Sequence, residues 1–201
     1  IRFSKVENRL SADFSASRGS PPLRVAVASV FSPKETVQHY RAIADFLGRK
    51  LHRPAILIQR KSRGEIGTLL INGGADVAFM STGTYAIFRR VEGLEVLVSQ
   101  KRMGRPYYRG CIIVPADSPV RTVGELEGAT VAFVDPTSYS GYTYFFEALA
   151  GSGKPPEIFL RHGLFTYNHD KSLRAVADRL VDAAAIDEVA YENARLHNPE
   201  V

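Results

Sequence analysis

From residue 23 onward, short apolar runs alternate with stretches in which apolar residues recur every three or four positions. Leu23–Ala28 is the first apolar run, and residues 35–51 form the first periodic stretch. A run of about four to eight apolar residues indicates a buried strand, whereas the periodic spacing indicates an amphipathic helix. The pattern predicts further strands at 55–58, 75–80 and 94–98, and helices at 65–72 and 84–90.

The same alternation restarts after Gly104-Arg105-Pro106. It predicts strands at 108–114, 130–134, 157–160 and 183–186, helices at 140–150, 171–180 and 188–196, and a short helix opened by Thr122 and Glu125 as a capping box. Such alternation is typical of an α/β fold with mainly parallel sheets. We therefore predict a mobile lead-in at 1–22 with a helix near 5–10, a first α/β lobe at 23–103, a second lobe at 104–187, and the start of a return toward the first lobe at 188–201. A ligand cleft is expected between the lobes.

Composition narrows the function classes. Apolar residues make up 45% of the chain, which is enough for a packed core, but no apolar run approaches the ~20 residues that span a bilayer. The net charge of +5 is spread along the chain rather than gathered on one basic face. We therefore expect no membrane insertion and no nucleic-acid partner, and the mildly positive field suits a small anionic ligand.

Cysteine and histidine usage argues against metal and disulfide chemistry. Cys111 is the only cysteine and lies in an apolar run, so a buried thiol is expected and an internal disulfide is excluded. The five histidines lack metal-ligand spacing, and we expect neither a metal nor a cofactor. The chain starts at Ile1 without a charged-then-apolar leader, which predicts a cytoplasmic chain or one whose signal peptide or anchor has been removed.

Residues 135–142 carry the clearest candidate chemistry. Hydroxyls at Thr137, Ser138 and Ser140 stand between a predicted strand and a predicted helix. The first turn of a helix has unpaired N–H groups that favour an anion, and neighbouring hydroxyls add donors. Plain N-capping is the alternative, but three hydroxyls in four positions exceed what one cap needs, which favours a binding site.

Two further candidates follow in the second half. His169 lies near a predicted helix start and can donate to an anion; alternatively Asn168 or Asp170 caps the helix and His169 is exposed. Asp187 ends an apolar strand, where it can accept a hydrogen bond from a protonated oxyanion or an amine and reject ligands without a proton. A helix N-cap is the alternative for Asp187.

The first half of the chain contains a hydroxyl-rich turn that corresponds to the one around Ser138 in the second half. Ser81-Thr82-Gly83-Thr84-Tyr85 ends a predicted strand, and Thr82 and Tyr85 are its candidate ligand residues. Arg63 follows Arg60-Lys61-Ser62 and either closes over an anion or belongs to a solvated basic loop.

Enzyme motifs are not evident. The chain has no G-x-S-x-G elbow, P-loop or HExxH sequence. Ser138, His169 and Asp187 can be drawn as a triad, although chain order alone is no evidence for one. We predict a binding protein rather than an enzyme, with a Ser/His hydrolase as the alternative from another class.

Several motifs coincide with one family, beginning near Arg24 and running to the end of the chain: Gln59-Arg60-Lys61-Ser62, Gly74-Ala75-Asp76-Val77-Ala78-Phe79 with Thr82-Gly83-Thr84-Tyr85, Arg105-Pro106-Tyr107-Tyr108-Arg109, Pro115-Ala116-Asp117-Ser118-Pro119, Asp135-Pro136-Thr137-Ser138-Tyr139-Ser140-Gly141-Tyr142 and Phe165-Thr166-Tyr167-Asn168-His169-Asp170. On these residues the chain resembles the phosphate-, phosphite- and phosphonate-binding periplasmic proteins (PhnD-like) that serve ABC importers, including their sensor-associated relatives.

The resemblance implies a two-lobed, type II-like periplasmic-binding-protein architecture and an extracytoplasmic location. It implies a phosphorus oxyanion as ligand and an ABC permease as partner; the alternatives are an input domain of a membrane sensor and a cytoplasmic effector-binding domain of a regulator. Carried over to this sequence, the family's ligand residues are Ser138, Tyr139, Ser140, His169, Tyr85 and Asp187.

The sequence departs from the family pattern in three ways. Tyr139 stands where the family has a threonine, and Arg63 stands where it usually has a tyrosine, so the oxyanion that binds is left open. Family members also return to the first lobe with a further C-terminal stretch, whereas this chain stops at Val201. The expected architecture is therefore truncated in the first lobe or completed by another chain.

Overall fold

The computed structural model of the chain describes residues 20–28, 33–91, 93–101, 104–151 and 153–197. Strands and helices alternate along it, so the predicted α/β pattern is present. The lead-in predicted at 1–22, with its helix near 5–10, lies almost entirely outside the described residues. The strands are β1 (Leu23–Ala28), β2 (Ala55–Arg60), β3 (Val77–Phe79), β4 (Gly110–Ile113), β5 (Thr130–Phe133), β6 (His162–Phe165) and β7 (Ala183–Asp187). The helices are α1 (Pro33–Lys50), α2 (Arg63–Ile71), α3 (Thr82–Phe88), α4 (Tyr144–Ala150), α5 (Pro156–Phe159), α6 (His169–Ala177) and α7 (Glu188–His197), with a 3-10 helix at Val123–Leu126 and a π-helix at Tyr139–Thr143.

The first sheet has the order β2-β1-β3, and both strand pairings are parallel. Alternate residues of a strand face opposite sides, and both sides of β1 are covered. Ala26 packs with Ile66 on one side, while Val25 packs with Ala44 on the other. Because both faces are largely covered, β1 is apolar at every position except Arg24, whose side chain is 38% exposed.

The second sheet has the order β4-β7-β5-β6, in which only the β4–β7 pairing is antiparallel. Its central strand β7 is built from buried alanines. One face packs against Phe133, Phe145 and Phe159, and the other packs against Leu173 and Val176. Alanines leave the room that the aromatic rings on the first face occupy.

Two predicted strands are wrong. Residues 94–98 do not form a strand, and the side chains of Val96, Leu97 and Val98 are exposed, up to 86% for Val98. A strand needs a partner, and no described strand pairs with this segment. Residues 157–160 lie mainly in α5, which begins with Pro156 at its first turn, where the missing N–H and fixed φ favour a helix.

Strand β6 was not predicted from the sequence. It is an edge strand that pairs with β5, from Thr130 opposite His162 to Phe133 opposite Phe165. Its residues are mostly exposed, so it lacks the apolar run that marks β1 and β7. Backbone pairing and the packing of Phe165 against the core cluster place it in the sheet.

Helix α7 packs against the second sheet, with Tyr191 and Ala194 beside the cluster that contains Leu173 and Ile186. The division into lobes at residues 103 and 104, and the return predicted at 188–201, stay predictions. No helix in the described part of the chain combines the length and the apolar character that a bilayer crossing needs.

Candidate functional site

The loops of the first sheet meet those of the second at a set of close polar contacts that we call the junction, formed by Arg63, Thr84, Asp135, Thr137 and His169. The backbone N–H of Arg63 donates to Asp135 Oδ2 at 2.8 Å, and the hydroxyls of Thr84 and Thr137 lie 2.9 Å apart. Each contact joins one half of the chain to the other. The candidate residues of the two halves therefore face each other.

Asp135 anchors this junction. Its carboxylate is buried, and besides Arg63 it accepts from the N–H and the hydroxyl of Thr137, at 2.8 and 2.7 Å. A buried carboxylate with three donors is well satisfied. Because the N–H of Arg63 belongs to the first turn of α2, Asp135 also adds a favourable negative charge to that helix N-terminus.

The side chain of Arg63 lies inside the junction and not in a solvated loop. Arg63 is only 7% exposed, and its Nη2 lies 3.2 Å from His169 Nε2. Burial lowers the pKa of Arg63, while the carboxylates of Asp135 and Asp187 act in the opposite direction. A guanidinium stays protonated in proteins, so Arg63 brings a buried positive charge to this point.

His169 is 2% exposed and opens α6, whose N-cap is the side chain of Asn168. Its Nδ1 accepts a hydrogen bond from the backbone N–H of Asp187 at 3.2 Å. Burial lowers the pKa of His169 to about 4; the charge of Asp187 opposes this shift and that of Arg63 adds to it. His169 is therefore neutral at pH 7, and since Nδ1 is the acceptor, its hydrogen lies on Nε2.

Two N–H donors thus converge beside Asp187. His169 Nε2 and Arg63 Nη2 lie 3.2 Å apart, and both carry hydrogen, so they do not hydrogen-bond to each other. Both can donate to one shared acceptor. An oxygen of an anion is such an acceptor, and hydrogen bonds from a charged donor to it are strong.

Asp187 serves both of the roles considered for it. Its Oδ1 accepts from the backbone N–H of Ala190 at 2.6 Å and so caps α7. Its Oδ2 lies 3.3 Å from His169 Nε2. One carboxylate oxygen is structural, and the other is an acceptor within the candidate site.

The hydroxyl-bearing residues 138–140, which follow β5, differ in burial and in their hydrogen bonds. Ser138 and Ser140 are both buried, and Ser138 Oγ accepts from the N–H of Gly141 at 3.1 Å as N-cap of the π-helix. Tyr139 is 41% exposed, and its hydroxyl donates to Glu147 at 2.5 Å. Its ring therefore points away from the junction, while its backbone N–H stays close to α3.

In the first half, the structure places Thr84 at the junction in preference to Thr82. Thr84 is buried and contacts Ser81 and Thr137, whereas Thr82 is exposed and Tyr85 is half-buried. Sequence reasoning also missed Asp135 as an anchor, although it opens the Asp-Pro-Thr-Ser motif. Tyr108 and Tyr40, which lie near Arg63, were missed as well.

The serine and histidine are not arranged as a hydrolytic pair. In a triad, the histidine accepts from the serine on one nitrogen and donates to the carboxylate through the other. Here Nδ1 of His169 accepts from a backbone N–H, and Nε2 faces both Arg63 and Asp187. In the part of the chain that the structure describes, no group of three or more His, Cys, Asp or Glu residues is arranged to hold a metal ion.

Gly83 controls how closely the two halves approach. A Cβ at Gly83 would lie 2.4 Å from the carbonyl oxygen of Thr137 and 2.7 Å from the N of Tyr139. Both are backbone atoms, so overlap would cost about 1–3 kcal/mol unless the halves separate. Gly83→Ala is expected to raise the radius of gyration measured by small-angle X-ray scattering.

Gly64→Ala is the matched control, since its Cβ would meet Thr137 Cγ2 at an ordinary 3.6 Å. Equal radii of gyration for both variants and the wild type would refute the close approach at Gly83.

The sequence model of the family described as "ABC transporter, phosphonate, periplasmic substrate-binding protein" matches residues 25–201.

Solved structures share the fold. The binding protein component of an ABC phosphonate transporter from Pseudomonas aeruginosa matches with a TM-score of 0.76 and 18% identity, covering 90% of this chain and 62% of that chain. PhnD1 from Prochlorococcus marinus in complex with methylphosphonate gives 0.77 and 16%, covering 89% of this chain and 68% of that one. A Xanthomonas citri protein bound to chloride ion gives 0.70 and 19%, with 86% and 67% covered. The predicted α/β periplasmic-binding-protein fold is thereby confirmed, and this chain spans 62% of the length of the P. aeruginosa protein.

Proposed function

Since the chain belongs to the family of periplasmic substrate-binding proteins of phosphonate ABC transporters, we propose that it binds a small phosphorus oxyanion at the junction for import. The family resemblance inferred from the sequence motifs is confirmed by the same match. The observation that carries the proposal is the pair of N–H donors, His169 Nε2 and Arg63 Nη2, that converge beside Asp187. Phosphonate, phosphite and phosphate all present oxygens that such donors bind.

The charges at the junction favour a ligand that still holds a proton. Arg63 provides a buried positive charge, and the neutral His169 provides a donor without adding charge. Asp187 Oδ2 provides an acceptor that repels an oxygen without hydrogen. A phosphorus oxyanion with one P–OH group satisfies all three, whereas sulfate has no proton to offer at neutral pH.

The ligand residues that we propose come from both halves of the chain: Ser138, Tyr139 through its backbone N–H, Ser140, His169, Asp187, Arg63, Tyr85 and Thr82. Tyr85 rests on the resemblance, and both Thr82 and Tyr85 rest on their position in the turn that contacts residues 137–139. Closure of the two halves around the ligand would give an ABC permease a shape to recognise.

Family membership supports a proposal for the location and the partners. We propose an extracytoplasmic protein that delivers its ligand to an ABC permease and performs no chemistry on it. The roles of Ser138 as a helix cap and of His169 as an acceptor from the backbone support binding over hydrolysis. The same site also suits a sensor input domain, and the family match supports transport.

A thermal-shift screen tests the proposal. A ligand that binds only the folded state at about 100-fold above its Kd adds ~2.7 kcal/mol of stability, which for a chain of this size raises Tm by roughly 5–10 °C. We expect this rise with phosphate, phosphite or a phosphonate, but not with sulfate at the same concentration. The rise is expected to disappear in His169→Ala and in Ser138→Ala. An equal response to sulfate would rule out the role given to Asp187, and no response to any phosphorus oxyanion would rule out the function.

A further inference from the structure

Lys61 and Tyr167 are in contact across the two halves of the chain. The ammonium nitrogen of Lys61 lies over the ring of Tyr167, 4.5 Å from its centroid. This distance is within the ~6 Å range of a cation–π interaction, in which the negative face of the ring attracts the cation. Lys61 stands two residues before Arg63, and Tyr167 stands two residues before His169. The contact therefore joins the same two segments whose buried donors converge at the junction.

The loop that carries Tyr167 is fixed on both sides. The N–H of Thr166 donates to the carbonyl of Phe133 at 2.8 Å, and the side chain of Asn168 caps α6. The ring of Tyr167 lies beside that of Phe165, with the two centroids 6.2 Å apart, and Phe165 packs against the core of the second sheet. The ring is thus held in place by contacts within its own half.

Tyr167 also has an unusual backbone conformation. Its φ is +58°, in the left-handed region that a residue with a bulky side chain rarely adopts. Such a conformation has a free-energy cost and persists where the surrounding contacts impose it, often at ligand clamps and active sites. A glycine would adopt the same φ without that cost, so the ring is what this position gains from a tyrosine.

Lys61 is held in the first half by the start of α2. It lies between β2 and the capping box of α2, in which the N–H of Ser62 donates to Glu65 Oε2 at 2.8 Å and Ser62 Oγ accepts from the N–H of Glu65 at 3.1 Å. Lys61 is exposed, whereas Arg63 and His169 are buried. The contact that Lys61 makes is therefore nearer to solvent than the two donors.

We propose that Lys61 and Tyr167 are positioning residues of the oxyanion site and that their contact fastens the two halves over a bound ligand, an inference that rests on the proposed function. When the halves separate to admit or release the ligand, this contact breaks, because its two members belong to different halves. A ligand that needs the joined arrangement therefore gains the free energy of the contact. Since the ligand leaves from the separated arrangement, the gain lies mainly in slower dissociation.

A double-mutant cycle of Lys61→Met and Tyr167→Leu tests this inference, with phosphate, phosphite and methylphosphonate as probes and affinity measured by calorimetry. The affinity loss caused by Lys61→Met is expected to be about two- to fivefold larger with Tyr167 present than in the Tyr167→Leu background, which is the factor that an exposed cation–π contact contributes. An effect of the lysine charge on the anion alone would be the same in both backgrounds.

Conservative variants and a matched lysine separate this contact from a merely structural role. Tyr167→Phe keeps the aromatic face and Lys61→Arg keeps the cation, so both are expected to retain the wild-type affinity. Lys50 lies over the ring of Phe46 at 5.8 Å from the centroid, and both residues belong to α1. Because that contact stays within one half, Lys50→Met is expected to leave the affinity unchanged.

Each outcome has a distinct meaning. Equal losses from Lys61→Met in the two backgrounds would overturn the inference, and so would a loss in Tyr167→Phe as large as that in Tyr167→Leu. Either result would leave the proposed function intact, because the wild type would still bind a probe. Absence of binding of all three probes to the wild type would overturn the proposed function and this inference with it.

Discussion

Arg63→Met is expected to weaken binding of the phosphorus oxyanion by roughly a hundredfold or more. Removing one partner of a buried, hydrogen-bonded charge pair costs about 2–5 kcal/mol in binding. Arg63 supplies the buried positive charge beside His169, and its guanidinium nitrogen lies 3.2 Å from His169 Nε2. Methionine has a similar length and no charge, so the anion would face Asp187 without a compensating cation.

The fold is expected to tolerate Arg63→Met. The contact from this residue to Asp135 is made by the backbone N–H, which the substitution keeps. Arg60→Met is the matched control, because it removes the same charge from an exposed position three residues away. Calorimetric titration with the oxyanion is the measurement. Equal losses in the two variants would mean that only the general field of the protein matters and would contradict a direct role for Arg63.

Acidification from pH 7 to pH 4 is expected to destabilise the folded chain, with His169 contributing about 2–3 kcal/mol to the loss. Burial lowers the pKa of His169 to about 4 in the folded state, below the usual value of 6.5. The unfolded state therefore binds more protons than the folded state between these two values, and the free energy of unfolding falls as the pH falls through that window. The stability that the folded state keeps while His169 is neutral is therefore fully present above pH 6.5 and is lost as the pH falls toward 4.

The contribution of His169 is measured by denaturant unfolding at a series of pH values, as the difference in free energy of unfolding between the wild type and a variant without the histidine. Exposed carboxylates that accept hydrogen bonds, such as Asp76 and Glu65, also lose partners in acid, so the wild type must be compared with His169→Gln. The variant is expected to lose less stability over the same range, because a glutamine amide does not titrate. His162→Gln, at an exposed position of β6, controls for the substitution itself. Identical pH curves for His169→Gln and the wild type would contradict the buried neutral state of His169.

The local pattern of apolar residues predicted most of the strands and helices, above all where consecutive residues of a strand are buried. Strands β1 and β7 are apolar except at Arg24 and Asp187, because both of their faces are largely covered, and their apolar runs predicted them. The apolar pattern gave wrong predictions where a segment is apolar but unpaired, or paired but exposed. Residues 94–98 are apolar enough for a strand but have no partner among the described strands, whereas β6 is exposed yet pairs along its length with β5.

The sequence indicated which residue types would form the candidate site, but not which of their atoms contact each other. Ser138, Ser140 and His169 came from motifs, since a hydroxyl-rich helix start and a histidine at another helix start favour an anion. The residues that neighbour His169 in the sequence do not indicate that its Nδ1 accepts a hydrogen bond from the backbone N–H of Asp187, which lies eighteen residues further along the chain. That contact fixes the hydrogen on Nε2 and hence the donor.

The sequence by itself determined an α/β fold and membership of the family of periplasmic substrate-binding proteins of phosphonate ABC transporters, because periodicity, turn residues and short motifs are local properties of the chain. Tertiary structure alone decided that Arg63 is buried beside His169 and that Asp135 ties the two halves together. These contacts join residues 72 and 106 positions apart. A buried charge is tolerated only where distant partners satisfy it, and which partners meet is settled by how the two sheets pack.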